Sequence, residues 1–148
     1  MTAAGERAAA AAREWIGTPY RHGAAVRGAG ADCLGLVRGV WRELYGSEPE
    51  APGAYTPDWG EPAGVEVLWQ AAARHLAAVA PDGALLPGQV LLFRLREGAI
   101  AKHLGILVRA GAAPAFVHSY SGHGVVESAL TEPWRRRIAA RFTFPEIP

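Results

Sequence analysis

The residue with the clearest chemical potential is Cys33, the only cysteine in the chain. It lies in the segment GADCLGLV at 30–37, where a glycine-rich loop meets the start of a predicted helix. The first N–H groups of a helix are unpaired and the helix dipole is positive there, so this position favours the nucleophilic thiolate. One cysteine with histidines elsewhere is the pattern of a cysteine hydrolase. The alternative is a small buried side chain, because free cysteine is often buried.

A thiol nucleophile needs a base, and imidazole is its usual partner. Of the five histidines, His103 stands out because it lies in a predicted strand. Alternation along that strand places Leu104, Ile106 and Val108 on one apolar face, which we assign to the core. His103 lies on the opposite face, where we expect that packing does not require it. This placement favours a functional role as the general base.

A third residue that orients the base completes such a site, and two histidines compete for this role. His118 lies in the next predicted strand, and a hairpin through the turn at 111–114 would bring it beside His103. His123 follows shortly afterwards on a glycine-containing turn. Strand geometry favours His118, and His123 stays open as its rival. Cys33, His103 and His118 could also act as zinc ligands, which we consider much the weaker interpretation, so we expect no metal and no cofactor.

Helices occupy the first half of the chain and strands the second. Helices are predicted over 3–16, over 33–45 with Asp32 as N-cap and Gly46 as C-cap, and over 63–80. The proline-containing segment 47–62 is predicted to be a long loop. Strands are predicted over Gln89–Arg96, Lys102–Arg109, Ala115–Tyr120, Gly124–Ala129 and Arg137–Phe144. This order predicts one α+β domain over residues 1–148, with N-terminal helices packed on a mostly antiparallel five-stranded sheet.

The composition excludes several functions. The chain has 148 residues with 15 basic and 14 acidic side chains, a balance that does not support nucleic-acid binding. The run Arg135-Arg136-Arg137 is interpreted as a solvated strand edge. A lone cysteine excludes an intramolecular disulfide. The alanine-rich N-terminus lacks a signal-peptide pattern and no apolar run is long enough to span a bilayer, so we expect synthesis in the cytoplasm without membrane insertion.

Several short motifs occur in a characteristic order. They are EWIGTPY at 14–20, GADCLGLV at 30–37, PGQVLLF at 87–93, KHLGI at 102–106 and FVH at 116–118. Together they resemble the NlpC family of papain-like cell-wall cysteine peptidases, over a span from Trp15 to His118. The resemblance implies a papain-like fold in which Cys33 attacks, His103 is the base and His118 orients it.

The same resemblance implies a substrate site. Tyr20 and Asp32 would line it where the family holds the amino end of a peptide, and His22, at a position that is often aromatic, would add an imidazole. The implied substrate is the peptidoglycan stem peptide, often cut after a γ-linked D-glutamate, at the γ-D-glutamyl–diamino acid bond. Leu34 departs from the family, which usually has serine after the nucleophile.

Length, the apparent lack of a signal peptide and the Asp-Cys-Leu variant look most like the phage-tail and gene-transfer-agent branch of the family. That branch implies tail hub or tip proteins as partners, and action outside the producing cell or in a recipient's periplasm. Two alternatives remain open. One is a structural tail component that keeps the fold without turnover, and the other is an acyl transferase on the same fold.

Overall fold

The structure is a computed structural model that describes residues 3–50, 52–53, 55–56, 59 and 64–146. The longer helices lie in the first half of the chain and most strands of the main sheet in the second, which gives the α+β class predicted from the sequence. The elements, in order, are α1 Ala3–Glu14, β1 Ala25–Val26, β2 Gly30–Ala31, α2 Cys33–Tyr45, α3 Val67–His75, β3 Ala77–Ala78, β4 Val90–Phe93, β5 His103–Arg109, β6 Ala115–Tyr120, β7 Gly124–Ala129, α4 Glu132–Arg136 and β8 Ile138–Thr143.

The central sheet has six strands in the order β3-β8-β4-β5-β6-β7, and its neighbouring strands are antiparallel. The five predicted strands are all present, so the mostly antiparallel sheet is confirmed. The sixth strand, β3, has only two residues, which pair with Thr143 and Phe142 of β8. A separate antiparallel pair, β1 and β2, lies directly before α2 and was not predicted.

The helix that begins with Cys33 has the predicted caps. The Asp32 carboxylate accepts a hydrogen bond from the Gly35 N–H at 2.7 Å, which satisfies one of the free donors of the first turn. At the other end Gly46 has φ of 90°, and its N–H bonds to the Arg42 carbonyl at 2.8 Å. These caps set where α2 begins, and therefore where the thiol lies.

The N-terminal helices pack closely against each other and the sheet because their contact residues are small. α1 buries an alanine face that includes Ala4, Ala8 and Ala12. Trp15 lies against Gly39 of α2, where an added Cβ would come within 2.0 Å of the indole ring. A larger residue than glycine would therefore push α1 away from α2.

Two sequence interpretations of local structure were wrong. The helix predicted over 63–80 ends at His75, because Leu76 is extended and the next two residues join the sheet as β3; residue 63 lies outside the described residues. The three arginines at 135–137 do not form a strand edge. The first two lie in the short helix α4, which begins with a proline-containing turn after Thr131, and Arg137 ends that helix.

Both faces of the sheet are covered, which corrects the expectation that the face of His103 is not needed for packing. The face towards α1 and α2 carries Leu104 and Ile106. The other face carries a second apolar cluster formed by Leu91, Phe93, Leu107, Phe116 and Leu130, with Trp134 of α4 packed against it. His103 is only 6% exposed at the end of this second cluster.

In the described part of the chain, none of the helices has the length and apolar character that crossing a membrane requires.

Candidate active site

The Cys33 thiol lies against the main chain on both sides of His103. Cys33 is the first residue of α2 and is 8% exposed. Its Sγ lies 3.9 Å from the Lys102 carbonyl oxygen, and the Leu104 N–H also acts on the sulfur. The thiol of the nucleophile candidate therefore lies against the main chain at the beginning of β5, the strand that carries the base candidate.

The thiol can approach this main chain because β5 and β6 separate. Their ladder runs from Ile106↔Val117 to Arg109↔Ala115, so within the described strands it does not reach the end that carries His103. The chain segment before α2 approaches this end of β6, where the Ser119 hydroxyl donates a hydrogen bond to the Ala31 carbonyl at 2.6 Å. Peptide groups of β5 that would otherwise pair with β6 are thus available to the thiol.

His103 and His118 form a hydrogen-bonded pair. Nε2 of His103 lies 2.8 Å from Nδ1 of His118, and Nε2 of His118 lies 2.9 Å from the Ser128 hydroxyl. This leaves Nδ1 of His103, the ring nitrogen nearer its own main chain, as the atom that can serve the thiol. The Trp134 ring lies 5.9 Å from the His103 ring and 5.3 Å from the His118 ring, measured between centroids. Trp134 thus limits the access of water to the pair.

His123 does not take the place of His118. It is exposed on the turn after β6, with Nδ1 3.4 Å from the Ser121 carbonyl and its ring 5.1 Å from that of Tyr120. The nitrogen that faces Nε2 of His103 belongs to His118. The catalytic roles of Cys33, His103 and His118 stay predictions.

The charge state of the thiol differs from the sequence expectation. Burial, and next the negative charge of Asp32, raise the pKa of Cys33 to about 12. The N–H groups of Leu104, Leu34 and Cys33 itself lower this pKa, as a helix start should, but their effect is smaller. The prediction of a stabilised thiolate was therefore wrong for the resting protein, because a buried charge loses its hydration.

The two imidazoles are held neutral by the same effect. Burial, then the charge of His118, lowers the pKa of His103 to about 3. Burial, then the charge of His123, lowers the pKa of His118 to about 4. The resting site near neutral pH is accordingly a thiol beside two neutral imidazoles.

The three residues proposed to bind substrate lie together beside Cys33. The Asp32 Oδ2 atom accepts hydrogen bonds from the Gly23 N–H at 2.7 Å and from the Tyr55 hydroxyl, and His22 Nδ1 lies 3.7 Å away. Burial, and next the negative charges of Cys33 and Asp32, raise the pKa of Tyr20, which places its phenol in their electrostatic range. Asp32 is 3% exposed, so its carboxylate is already satisfied by the protein.

Tyr55 was missed by the sequence interpretation, which treated 47–62 only as a loop. Besides its bond to Asp32, its carbonyl accepts a hydrogen bond from His22 Nε2 at 2.7 Å. Its ring stacks on Trp59 with centroids 4.1 Å apart, and Trp59 is buried. Two aromatic residues four apart in a proline-containing loop were the available signal that this loop folds back onto the protein.

The segment before His103 is also anchored. Arg94 donates to Glu66 Oε2 at 2.6 Å and to the Ala99 carbonyl at 2.7 Å, and Glu66 Oε1 accepts from the Ala101 N–H at 2.8 Å. Arg94 also stacks over Trp69 of α3. These bonds tie the chain that enters β5 to the start of α3, and they help to fix the main chain of Lys102.

Leu34 borders an apolar cavity of about 180 Å³ between α2 and α3.

Among the residues that the structure describes, no group of three or more His, Cys, Asp and Glu side chains is arranged to hold a metal ion.

A protein-family model described as the NlpC/P60 family matches residues 17–142. The chain belongs to the NlpC/P60 family. This match covers both the helix of Cys33 and the strands of His103 and His118. The resemblance seen in the motifs is thus confirmed at the level of the family, whereas the phage-tail branch stays a prediction.

One curated relative is the protein named murein DD-endopeptidase MepS/murein LD-carboxypeptidase of Escherichia coli K12. It is 28% identical over 125 residues, which are 84% of this chain and 54% of the relative. The chain therefore spans about half the length of the curated relatives it matches. NlpC/P60 is a family of peptidoglycan hydrolases, and the name of this relative describes a murein peptidase.

Solved structures confirm the fold. The NlpC/p60 domain of the peptidoglycan hydrolase SagA superposes with a TM-score of 0.60 at 21% identity, covering 95% of this chain and 98% of that domain. An NLP/P60-family protein similar to a lipoprotein, from Staphylococcus aureus, superposes with a TM-score of 0.63 at 17% identity, covering 97% of this chain and 42% of that one. At these identities the likeness concerns the fold alone.

Proposed function

We propose that this protein is a cysteine peptidase that hydrolyses amide bonds in peptidoglycan stem peptides. The observation that carries the proposal is the placement of the Cys33 thiol against the peptide groups flanking His103, whose Nε2 is held by His118. In a peptidoglycan-hydrolase family, this arrangement supplies a nucleophile, a base and an orienting residue.

The reaction begins from the neutral pair. Nδ1 of His103 takes the thiol proton while the sulfur bonds to the amide carbonyl carbon, because a free thiolate is unfavourable in the buried site. The N–H of Cys33, at the start of α2, donates to the carbonyl oxygen as it becomes negative, a contribution of about 3 kcal/mol in comparable sites. The His103 imidazolium then protonates the leaving nitrogen as the C–N bond breaks. Water, deprotonated by His103, hydrolyses the thioester and restores the thiol.

The substrate side of the proposal rests on Asp32. Its carboxylate is the negative group nearest the thiol in the cluster with Tyr20 and His22, and it suits the amino end of a short peptide. Because the Tyr55 hydroxyl bonds to the same oxygen, the amino group would replace or join this contact. We propose the γ-D-glutamyl–diamino acid bond as the one that is cut.

The proposal is tested by digestion of purified peptidoglycan and mass spectrometry of the fragments. Cys33→Ala should abolish fragment release, and undiminished release by this variant would contradict the proposal. His118→Ala removes the histidine that faces His103, and His123→Ala is the matched control, which removes a histidine that does not. Loss of release in the first and retention in the second are expected. The masses of the fragments identify the bond that is cut.

We further propose that the protein is delivered on a phage-like tail with hub or tip proteins as partners, acting outside the producing cell or in a recipient's periplasm. The sequence Asp32-Cys33-Leu34 supports this proposed delivery, because it resembles the phage-tail branch of the family. Mass spectrometry of purified particles from producing cells tests it. Detection in the particles is expected, and confinement of the protein to the cell fraction would refute it.

A second candidate is a tail component that binds the wall without turnover. The burial of Cys33 and the raised pKa of its thiol favour it, because both lower the reactivity of the sulfur. Binding to peptidoglycan without fragment release by the unaltered protein would support this candidate over the peptidase.

A further inference from the structure

Ser128 of β7 extends the histidine pair by one more group. It lies opposite Phe116 in the β6–β7 ladder, on the sheet face that also carries His118. Its hydroxyl is 2.9 Å from Nε2 of His118, whose side chain is 1% exposed. The Ser128 hydroxyl can accept from a protonated Nε2 or donate to an unprotonated one, so its direction is coupled to the tautomer of His118.

The two hydrogen bonds that link His103, His118 and Ser128 can run in either of two directions. In the first direction, His103 Nε2–H donates to His118 Nδ1, and His118 Nε2–H donates to the Ser128 oxygen. In the second direction each donor and acceptor is exchanged, and His103 carries its proton on Nδ1. Only the first direction leaves the Nδ1 lone pair of His103 free to accept the thiol proton.

The proton transfer itself selects the first direction. When the S–H bond breaks and the N–H bond forms at Nδ1, the electron pair stays on sulfur and His103 carries hydrogen on both nitrogens. Nε2 of His103 must then donate, so Nδ1 of His118 must accept and Nε2 of His118 must carry the hydrogen. The Ser128 oxygen is the acceptor that lies within bonding distance of that hydrogen.

We propose that Ser128 is a positioning residue that accepts the His118 Nε2–H bond and so holds His118 in the tautomer that supports His103 as a base. The Nε2–H form is also the tautomer that free neutral histidine prefers, so the first direction starts with an advantage for both rings. The catalytic consequence of this inference rests on the proposed function, whereas the tautomer itself does not.

The tautomer is measured on the unaltered protein by ¹⁵N NMR of the histidine ring nitrogens near neutral pH. His118 should show a protonated Nε2 and an unprotonated Nδ1, and His103 should show the same. A protonated Nδ1 on His118 would overturn the inference. This measurement needs no substrate, so it decides the inference even where the protein proves not to cut peptidoglycan.

Kinetics test the consequence in an active protein. Ser128→Ala should lower kcat on the order of tenfold with KM little changed, since one hydrogen bond to a polarised donor is lost. Ser128→Thr keeps the hydroxyl and should recover most of the rate. Thr143→Val removes a hydroxyl from β8, away from the site, and should leave the rate unchanged.

The pattern of rates is interpreted together with the spectra. Equal loss in Ser128→Ala and Ser128→Thr, or no loss in either, would refute the positioning role. A loss in Ser128→Ala with an altered His118 tautomer and recovery in Ser128→Thr would support it, because a purely structural serine would not change the ring-nitrogen signals.

Discussion

Acid should destabilise this protein steeply, because the His103–His118 pair is buried in its neutral form. The pKa of His103 is lowered from 6.5 to about 3, mainly by burial and then by the charge of His118. The pKa of His118 is lowered from 6.5 to about 4, mainly by burial and then by the charge of His123. The unfolded chain therefore binds protons at a pH where the folded protein does not.

The magnitude follows from these values. The contribution of the neutral pair to the free energy of unfolding is fully present above about pH 6.5. It is lost as the pH falls towards the pKa values of the folded protein. Each pH unit in this window costs about 1.4 kcal/mol per imidazole. Between about pH 6.5 and about pH 4.5 the cost is roughly 2 kcal/mol for each ring, because the full slope is reached only below the unfolded pKa. Roughly 4 kcal/mol for the pair is a large part of the stability of a domain of this size.

Urea unfolding between about pH 7 and about pH 4.5 measures this cost, and comparison with variants separates it from carboxylates, which begin to titrate at the acid end of this range. His118→Gln should reduce the steepness of the pH dependence by about half, since one of the two rings is removed. His75→Gln is the matched control, because His75 of α3 lies against the exposed Glu50 and outside the pair. It should reduce the steepness much less than His118→Gln does.

Two results would refute this reasoning. One is an unfolding free energy that stays constant over this pH range. The other is an NMR titration of His103 with a midpoint near that of a free histidine. Either result would show that the pair is hydrated or charged in the folded protein, and the neutral resting site would then be wrong.

Three further predictions concern neighbouring residues. Cys33 should react with iodoacetamide near neutral pH on the order of fiftyfold more slowly than in the urea-unfolded chain, because its thiol pKa rises from 9.0 to about 12 and higher nucleophilicity offsets part of the lost thiolate; equal rates would contradict its burial. Gly105→Ala should cost about 1–3 kcal/mol in urea unfolding, because the new Cβ would lie 2.7 Å from the Phe116 ring; an unchanged midpoint would show that Phe116 moves freely. Tyr55→Phe should cost about 1 kcal/mol by removing the donor to Asp32, and no change in unfolding would show that this bond is replaced by water.

The sequence determined the main elements of this protein and its candidate chemistry. Apolar periodicity and cap residues predicted α2 from Cys33 to Tyr45, because these signals act within a few residues of each other. The same local reasoning found the five main strands and placed His103 and His118 on adjacent ones. It predicted the end of the third helix wrongly, since the pairing of β3 with β8 joins residues far apart in the chain.

Only the tertiary structure decided the environment of these residues. α4 and the second apolar cluster cover His103, and the packing of α2 buries Cys33, so the expected thiolate becomes a neutral thiol. The contacts of Tyr55 with Asp32 and of Ser128 with His118 join residues that no local pattern connects. Burial and hydrogen bonding are properties of the assembled fold. For that reason the sequence identifies the residues that can react, and the tertiary structure decides their charge and orientation.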